Sequence, residues 1–342
     1  MNKDIKSVTR CTKCILSENF PRIKFDDDGI CNFCNNELLH STSRDNVDSA
    51  KTEVEKLFNN IDKTKSDYDA IVCYSGGKDS TYTLKLAVEK YNLRILSFTL
   101  DNGFISPVAF ENIEKVVSAL GVDHFTYRPS YKYMKNLYRV SSLENIYNPH
   151  TLTRISANCN SCISLVNNIA LKTALEKKVP FVLAGFTLGQ IPSNTIYYQN
   201  NYQFFKESRK PVLEKLKHLL GNDVSRYMEI PEHLQHDDYP FNINLLCLED
   251  ITENEIINQI LFLGWKKPAD VDGCSTNCRI NAFNNYVHVQ RYGYSPYELE
   301  LSHLIRKDLI TREEALDKLF DQPEDQIKDA MNELKIDESW LR

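Results

Sequence analysis

Residues 75–80 read Ser-Gly-Gly-Lys-Asp-Ser, and they sit where an apolar run gives way to a helical pattern. Glycines let a backbone approach an anion closely. Free N–H groups at the start of a helix, reinforced by the positive end of its dipole, then bind negative oxygens. Ser75 and Ser80 add hydroxyl groups, and Lys78 either adds a positive charge or points to solvent. The six residues fall short of the Walker pattern, which needs four residues between its glycines and ends in Gly-Lys-Ser/Thr. They predict an anion-binding turn of a different build. The competing reading is a tight strand-to-helix turn that binds nothing.

The second chemical resource is sulfur, since the chain has 10 cysteines. Cys11-x-x-Cys14 followed by Cys31-x-x-Cys34 supplies four thiolates suited to tetrahedral Zn2+, with rubredoxin-like iron as the alternative metal. A closed four-thiolate site keeps no open position, so its expected role is structural or for docking. Cys159-x-x-Cys162 is followed much later by Cys274 and Cys278. These residues could meet as a second zinc site, as a [4Fe-4S] cluster with three cysteine ligands, or as thiols that carry sulfur as a persulfide. Cys73 and Cys247 lie in apolar runs and read as buried structural residues.

These side chains need elements to hold them. The runs 69–74 (DAIVCY), 94–100 (RILSFTL), 124–127 and 180–184 (PFVLA) read as strands. Segments 80–91, 107–120 and 167–178 read as helices, with Gly121 a normal stop after the second. The alternating order predicts an α/β fold, a parallel sheet with helices on both faces that binds ligands beyond the carboxyl ends of its strands. The glycine turn lies at such an end. Residues 1–40 are expected to form the zinc module. Residues 41–66 read as a polar linker running into a short helix with Val54, Leu57, Phe58 and Ile61 on one face. Residues 67–285 form the sheet domain, and 286–342 a helical tail in which Thr311 and Glu314 make a capping box.

Within 190–240, Pro192, Pro211 and Pro231 are expected to break any long element, so this stretch reads as an insertion or substrate region. Its aromatic run 195–205 (TIYYQNNYQFF) reads as a partly buried edge, or as a surface on which a sugar or base stacks. His150 and Arg154 are candidates for contact with a substrate phosphate, against a plain surface or capping role.

The formal net charge is −6 and the isoelectric point about 5.8. That balance argues against a large nucleic-acid footprint, which needs a basic face. It does not argue against a small-molecule substrate. The first residues carry no apolar signal core, and no run approaches the roughly 18 apolar residues of a membrane span. The cytoplasm is therefore the expected location, and there cysteines favour metal over disulfides.

The word SGGKDS after a strand resembles the PP-loop of the ATP pyrophosphatase superfamily. The resemblance implies ATP and Mg2+. It places Ser75, Gly76, Gly77, Asp79 and Ser80 around the β- and γ-phosphates, Lys78 and Asp79 in catalysis, Asp101 at the strand end where the nucleoside docks, and Gly185 in a later glycine loop. It implies transfer of AMP to a substrate oxygen with release of pyrophosphate. The segment GFTLGQ departs from the many relatives that carry acidic residues just after that glycine, which leaves the magnesium ligands unassigned.

The stretches FDDDGICNFC, YDAIVCYSGGKDSTYTLKLA and QRYGYSPYELELSHLIRKDLITREEALDKL together resemble the N-acetyl sugar amidotransferase family of bacterial surface-polysaccharide synthesis. That resemblance implies adenylation of an acetamido oxygen, then displacement of AMP by ammonia from a separate glutaminase partner. The segment GCSTNC is a departure from it. The order of loop, Cys-x-x-Cys helix and late cysteine resembles instead the thiolation branch of the superfamily. On that reading Cys159, Cys162 and Cys274 or Cys278 become catalytic cluster ligands. A third reading is a non-catalytic ATP-binding module that docks through its cysteine module. The sequence is compatible with an oligomer.

Overall fold

The computed structural model describes residues 5–234 and 238–341. Six strands form one sheet: β1 Ala70–Cys73, β2 Ile95–Leu100, β3 Asp123–Tyr127, β4 Phe181–Ala184, β5 Tyr197–Gln199 and β6 Phe241–Asn244. Their order is β3-β2-β1-β4-β6-β5. Neighbours run parallel except β5, which pairs antiparallel with β6 at one edge. All four expected strands are present. Apolar, β-branched runs buried on both faces favour the interior of a parallel sheet. Because β1 lies between β2 and β4, the chain that leaves β1 emerges at the switch point of the sheet, where a crevice opens.

Helices cover both faces. On one lie α1 Glu37–Asn59, α2 Lys78–Lys85 (continued by a π turn, Leu86–Lys90) and α3 Pro107–Leu120. Their Val54, Phe58, Leu84, Ile113 and Val116 share a core with Val72 and Phe181 of the sheet. On the other lie α4 Tyr131–Leu143 and α5 Ala157–Lys177, whose Leu137, Tyr138 and Leu165 pack against Ile71, Phe98 and Val182. After α6 Tyr202–Leu220 and α7 Asp223–Met228 come α8 Glu253–Ile260, α9 Asn281–Tyr292, α10 Glu298–Arg306, α11 Arg312–Phe320 and α12 Glu324–Leu334. Thr311 caps α11 with Glu314 in the expected box. Among the described residues no helix is long and apolar enough to cross a membrane.

Several elements differ from expectation, each for a local reason. The helix expected after a linker starts at Glu37, because no glycine or proline interrupts the polar stretch that follows. The helix expected at 167 starts at Ala157, ten residues earlier, where asparagine, serine and cysteine interrupt the apolar period, with Ser156 accepting from the Cys159 N–H as its cap. Region 190–240 holds a 19-residue helix, α6, that runs straight through Pro211. Proline removes one helical hydrogen bond. Here both Pro211 and Glu207, whose carbonyl loses its partner, are exposed, so water takes up the carbonyl. The position 286 falls inside α9, whose Phe283 and Val287 belong to the main core.

The N-terminal module lies against the C-terminal helices. Leu16 and Phe20 pack with the four cysteines against Tyr294 and Leu299. A fully buried carboxylate, Glu298, pairs with Arg10 at 3.1 Å and accepts from both the N–H and the hydroxyl of Ser17 at 2.9 and 2.8 Å. Arg312 donates from Nε to the carbonyl of Cys14 at 2.9 Å.

Candidate active site

At the carboxyl end of β1 the chain turns through Ser75–Ser80 into α2. Gly76 has φ +77°, and a Cβ there would stand 2.4 Å from the carbonyl oxygen of Ala109. Only glycine fits. The turn is pinned from behind: the Trp265 indole N–H donates to the Gly76 carbonyl at 3.0 Å. Ser75 and Ser80 hydroxyls lie 3.0 Å apart, and the Lys78 N–H donates to the Thr276 hydroxyl at 3.0 Å. Gly185 ends β4 against this turn, and a Cβ there would stand 2.7 Å from the Thr83 hydroxyl. Gly185 thus packs on the first turns of α2, directly after the glycine turn.

The turn opens into a cavity of about 1140 Å3. Ser75, Gly77, Lys78, Asp79, Ser80 and Gly185 all line it. Lys78 Nζ contacts both carboxylate oxygens of Asp79 at 2.8 Å and reaches Glu253 at 3.6 Å, so it does not point to solvent. Burial opposes its charge, but Asp79 and Glu253 outweigh burial and hold its pKa above the usual value. Glu253 is half-buried, and Lys78 and Lys318 keep it below the usual carboxylate range against that burial. Lys318 Nζ lies 2.9 Å from it.

Two further acids behave differently. Burial pushes Glu300 up to about 7, against a hydrogen bond from the Thr187 hydroxyl at 2.7 Å and with Asp79 adding repulsion. Burial pushes Asp272 up to about 6, although its Oδ1 accepts from the Cys274 N–H and from Asn281. Carboxyls that titrate near neutrality can take up or release a proton at working pH. Glu300 reaches the cavity from α10 across Gly189, where φ is +107° and a Cβ would stand 2.6 Å from the Glu300 Cα. It thereby supplies, from the far end of the chain, an acid beside the loop 185–190 that has none of its own. Nothing in the spacing of YELELSHL signals this, because Glu300 reads there as one polar helix position among several.

At the end of β2, Leu100 and Asn102 line the cavity and Asp101 between them does not. Its carboxylate pairs with Arg128 and accepts from the Gly103 N–H, while its neighbour Asn102 lines the cavity. Successive residues at a strand end point to opposite sides, so the cavity receives the second of the pair.

The later cysteines also divide. Asn102 Nδ2 lies 3.7 Å from Cys162 Sγ and 3.6 Å from Cys278 Sγ. Cys159, one helical turn before Cys162, receives a hydrogen bond from Asn284 at 3.3 Å. All three line the cavity, and burial raises all three thiols, Cys159 to about 11 and Cys278 to about 12. Cys274 lines the cavity as well, but its thiol is engaged elsewhere, 3.5 Å from the Lys318 carbonyl and against a second apolar cluster. The segment carrying Cys278 folds across the mouth of the turn: Ile105 bridges to Cys278, and the Ser106 N–H donates to the Asn277 carbonyl at 2.9 Å. Burial raises the Cys73 thiol to about 12, and the Cys247 thiol donates to the Phe186 carbonyl at 3.1 Å.

Cys11, Cys14, Cys31 and Cys34 are buried, and their sulfurs all lie within 4.8 Å of one another, close enough to hold one metal ion. Hydrogen bonds from Cys31 and Cys34 drive Cys14 far below the usual thiol value, and the same sharing drives the other two up. Among the described residues this is the one group of His, Cys, Asp and Glu that meets that spacing.

Of the secondary candidates, His150 and Arg154 both line the cavity, as do Tyr198 and Phe204 from the aromatic run. Phe204 is 61% exposed.

The sequence matches no protein-family model. Over 312 residues it is 24% identical to an uncharacterized protein of Methanocaldococcus jannaschii, covering 91% of this chain and 92% of that one. Among solved structures it overlaps the U34-tRNA thiolase NcsA from Methanococcus maripaludis, with its [4Fe-4S] cluster, at a TM-score of 0.37 and 16% identity, over 96% of this chain and 89% of that one. It overlaps NMN synthetase from Francisella tularensis at a TM-score of 0.38 and 12% identity, over 87% and 97% of the two chains. Superpositions this loose carry no argument about chemistry.

Proposed function

We propose that this protein is a cytoplasmic ATP-dependent enzyme that adenylates an amide or carbonyl oxygen and releases pyrophosphate, and that ammonia then displaces AMP. The acceptor in this reading is an N-acetylated sugar, free or nucleotide-linked. The observation that carries it is the Ser75–Ser80 turn, which opens at the switch point of the sheet into a cavity large enough for both ATP and a second substrate.

The acetamido oxygen attacks the α-phosphorus, and the bond to the bridging oxygen breaks to release pyrophosphate. The N–H groups of the turn and the Ser75 and Ser80 hydroxyls hold the departing phosphates. Lys78, fixed by Asp79 and Glu253, keeps a positive charge beside them. Ammonia then attacks the activated carbon, AMP leaves, and the surplus proton stays on the strongly basic acetamidino group. The chain would take its ammonia from a separate glutaminase subunit. Asp79 and Glu300 would hold Mg2+, which neutralises phosphate charge; the raised Glu300 marks a place short of positive charge, so the residues suit a cation. The four N-terminal thiols suit Zn2+.

The test is to mix the protein with ATP, Mg2+, ammonium and a panel of acetamido sugars, and to follow pyrophosphate and AMP. Release that depends on both the sugar and ammonium is expected. Turnover that needs a sulfur donor instead would sink the nitrogen reading.

One observation favours a second reading, sulfur transfer: Cys159, Cys162 and Cys278 converge within the same cavity. Three thiolates beside an open position suit a [4Fe-4S] cluster. Iron and acid-labile sulfide after anaerobic purification, lost in a Cys159→Ala, Cys162→Ala double variant together with turnover, would establish it. Zinc alone, with full turnover in that variant, would remove it.

A further inference from the structure

The cavity holds one strong cation that nothing in the proposed reaction uses. Arg154 lines it just before α5. Its Nη1 donates to the Gly189 carbonyl at 2.7 Å, its Nε is screened from solvent with no acceptor, and among the described residues no carboxylate lies within 4 Å of it. Burial alone lowers its pKa. A guanidinium is a rigid fork of donors that matches the oxygens of a phosphate or carboxylate. Leaving part of that fork buried and unpaired is costly, and a native site that does so asks for an explanation.

The neighbouring backbone points the same way. Ser156 caps the 21-residue helix α5, so the Ala157 and Asn158 N–H groups precede its first internal hydrogen bond, from Asn160 to Ser156. Ser156 and Asn160 line the cavity beside Arg154. The cap of a long helix and a guanidinium without a counter-charge therefore lie two positions apart on the cavity lining. Tyr198 and the exposed ring of Phe204 line the same cavity. Arg209, stacked on Phe205 at 3.9 Å, also has a buried Nη1 with no acceptor.

We propose that Arg154 and the first turn of α5 form an oxyanion subsite that binds an anionic group of the acceptor, and so select phosphorylated or carboxylated sugars over neutral ones. This rests on the reading of the cavity as the site of an ATP-dependent sugar-modifying enzyme. Phosphate and carboxylate share the chemistry. Arg154 positions the acceptor and takes no part in bond making.

The test is calorimetric titration of the full chain and of Arg154→Gln and Arg154→Lys with four probes: Mg-ATP, UDP-N-acetylglucosamine, N-acetylneuraminate and uncharged N-acetylglucosamine. The wild type should bind one anionic sugar at least tenfold more tightly than the uncharged one, as expected for a charge-assisted hydrogen bond of about 1.5–3 kcal/mol. Arg154→Gln should remove that gain, Arg154→Lys should keep most of it, and ATP affinity should stay within about twofold throughout. Preference for the UDP-sugar assigns a phosphate, and preference for the neuraminate a carboxylate. Equal loss of ATP binding in Arg154→Gln overturns the proposal, because the arginine then serves the nucleotide. It is also overturned if Arg154→Gln binds the anionic sugars unchanged, if no anionic sugar is preferred, or if the variant loses affinity for a short single-stranded RNA instead. In each of these cases intact pyrophosphate release leaves the adenylation reading standing. That reading fails separately, if the wild type neither binds ATP nor releases pyrophosphate. Melting temperatures close to wild type guard against a folding defect, and the lysine variant keeps a donor for the Gly189 carbonyl.

Discussion

The chain gathers its cysteines in two places that obey opposite rules. In the N-terminal module four thiols close on one another, and the buried charges around them are matched: Arg10 faces Glu298. In the interior three thiols converge without closing, Cys274 bonds to the Lys318 carbonyl, and beside the paired Lys78, Asp79, Glu253 and Lys318 stand unmatched groups, with Glu300 and Asp272 pushed toward neutrality and Arg154 left without an acid. The first arrangement spends its polar groups on holding shape. The second leaves them unspent, as sites that bind charged ligands do.

The largest expected effect breaks the closed site. Cys31→Ala should lose the bound metal and about 5 kcal/mol or more of stability, seen as loss of zinc and a lower melting temperature. Next, Glu298→Gln should leave Arg10 buried without a counter-charge and cost about 3 kcal/mol, with pyrophosphate release per folded molecule unchanged. The unmatched region should respond with the opposite sign. A carboxyl whose folded pKa is raised binds more protons when folded, so the stability it contributes is present at low pH and is lost as pH climbs from 4.5 through about 7. Glu300→Gln removes that loss. Without ligands this variant should be more stable than wild type at pH 8, by about 1–3 kcal/mol, and the gap should shrink toward zero near pH 4.5. A gap independent of pH would mean that Glu300 is as well matched as Glu298. The smallest effect is expected of Cys274→Ala: about 1 kcal/mol, with metal content unchanged. Any loss of iron on that substitution would return Cys274 to the interior trio.

Legibility divides along the same line. β1, β2 and β4 could be read because each is a short apolar run, β3 because Phe125, Thr126 and Tyr127 are residue types that strands favour, and the closed cysteine module because its spacing admits little else. β6 escaped because its sequence, Phe-Asn-Ile-Asn, alternates apolar residues with amides that look like a loop. Asn242 in fact donates to the Tyr198 hydroxyl at 2.6 Å, and Asn244 to the Thr195 carbonyl at 3.2 Å. The first turns of α5 escaped because Asn158, Cys159, Asn160 and Cys162 break the apolar period just where they meet the cavity or its supporting amides. Trp265, Thr276 and Glu300 escaped because their partners lie in distant segments: Glu300 meets Thr187 across 113 positions. Residues that serve a site were harder to read than residues that serve the core, since the core imposes a period and the site does not.

The clasp between Ser17 and Glu298 spans 281 positions of sequence, and it sets a timetable for biosynthesis. A ribosome adding about 5–20 residues each second needs roughly 15–60 s to travel from the first partner to the second. Throughout that interval Leu16 and Phe20 have no Tyr294 or Leu299 to shelter them. A metal captured early by the four thiols would hold the emerging module together until its cover is made, so zinc supply during translation should govern how much of the protein reaches its folded form.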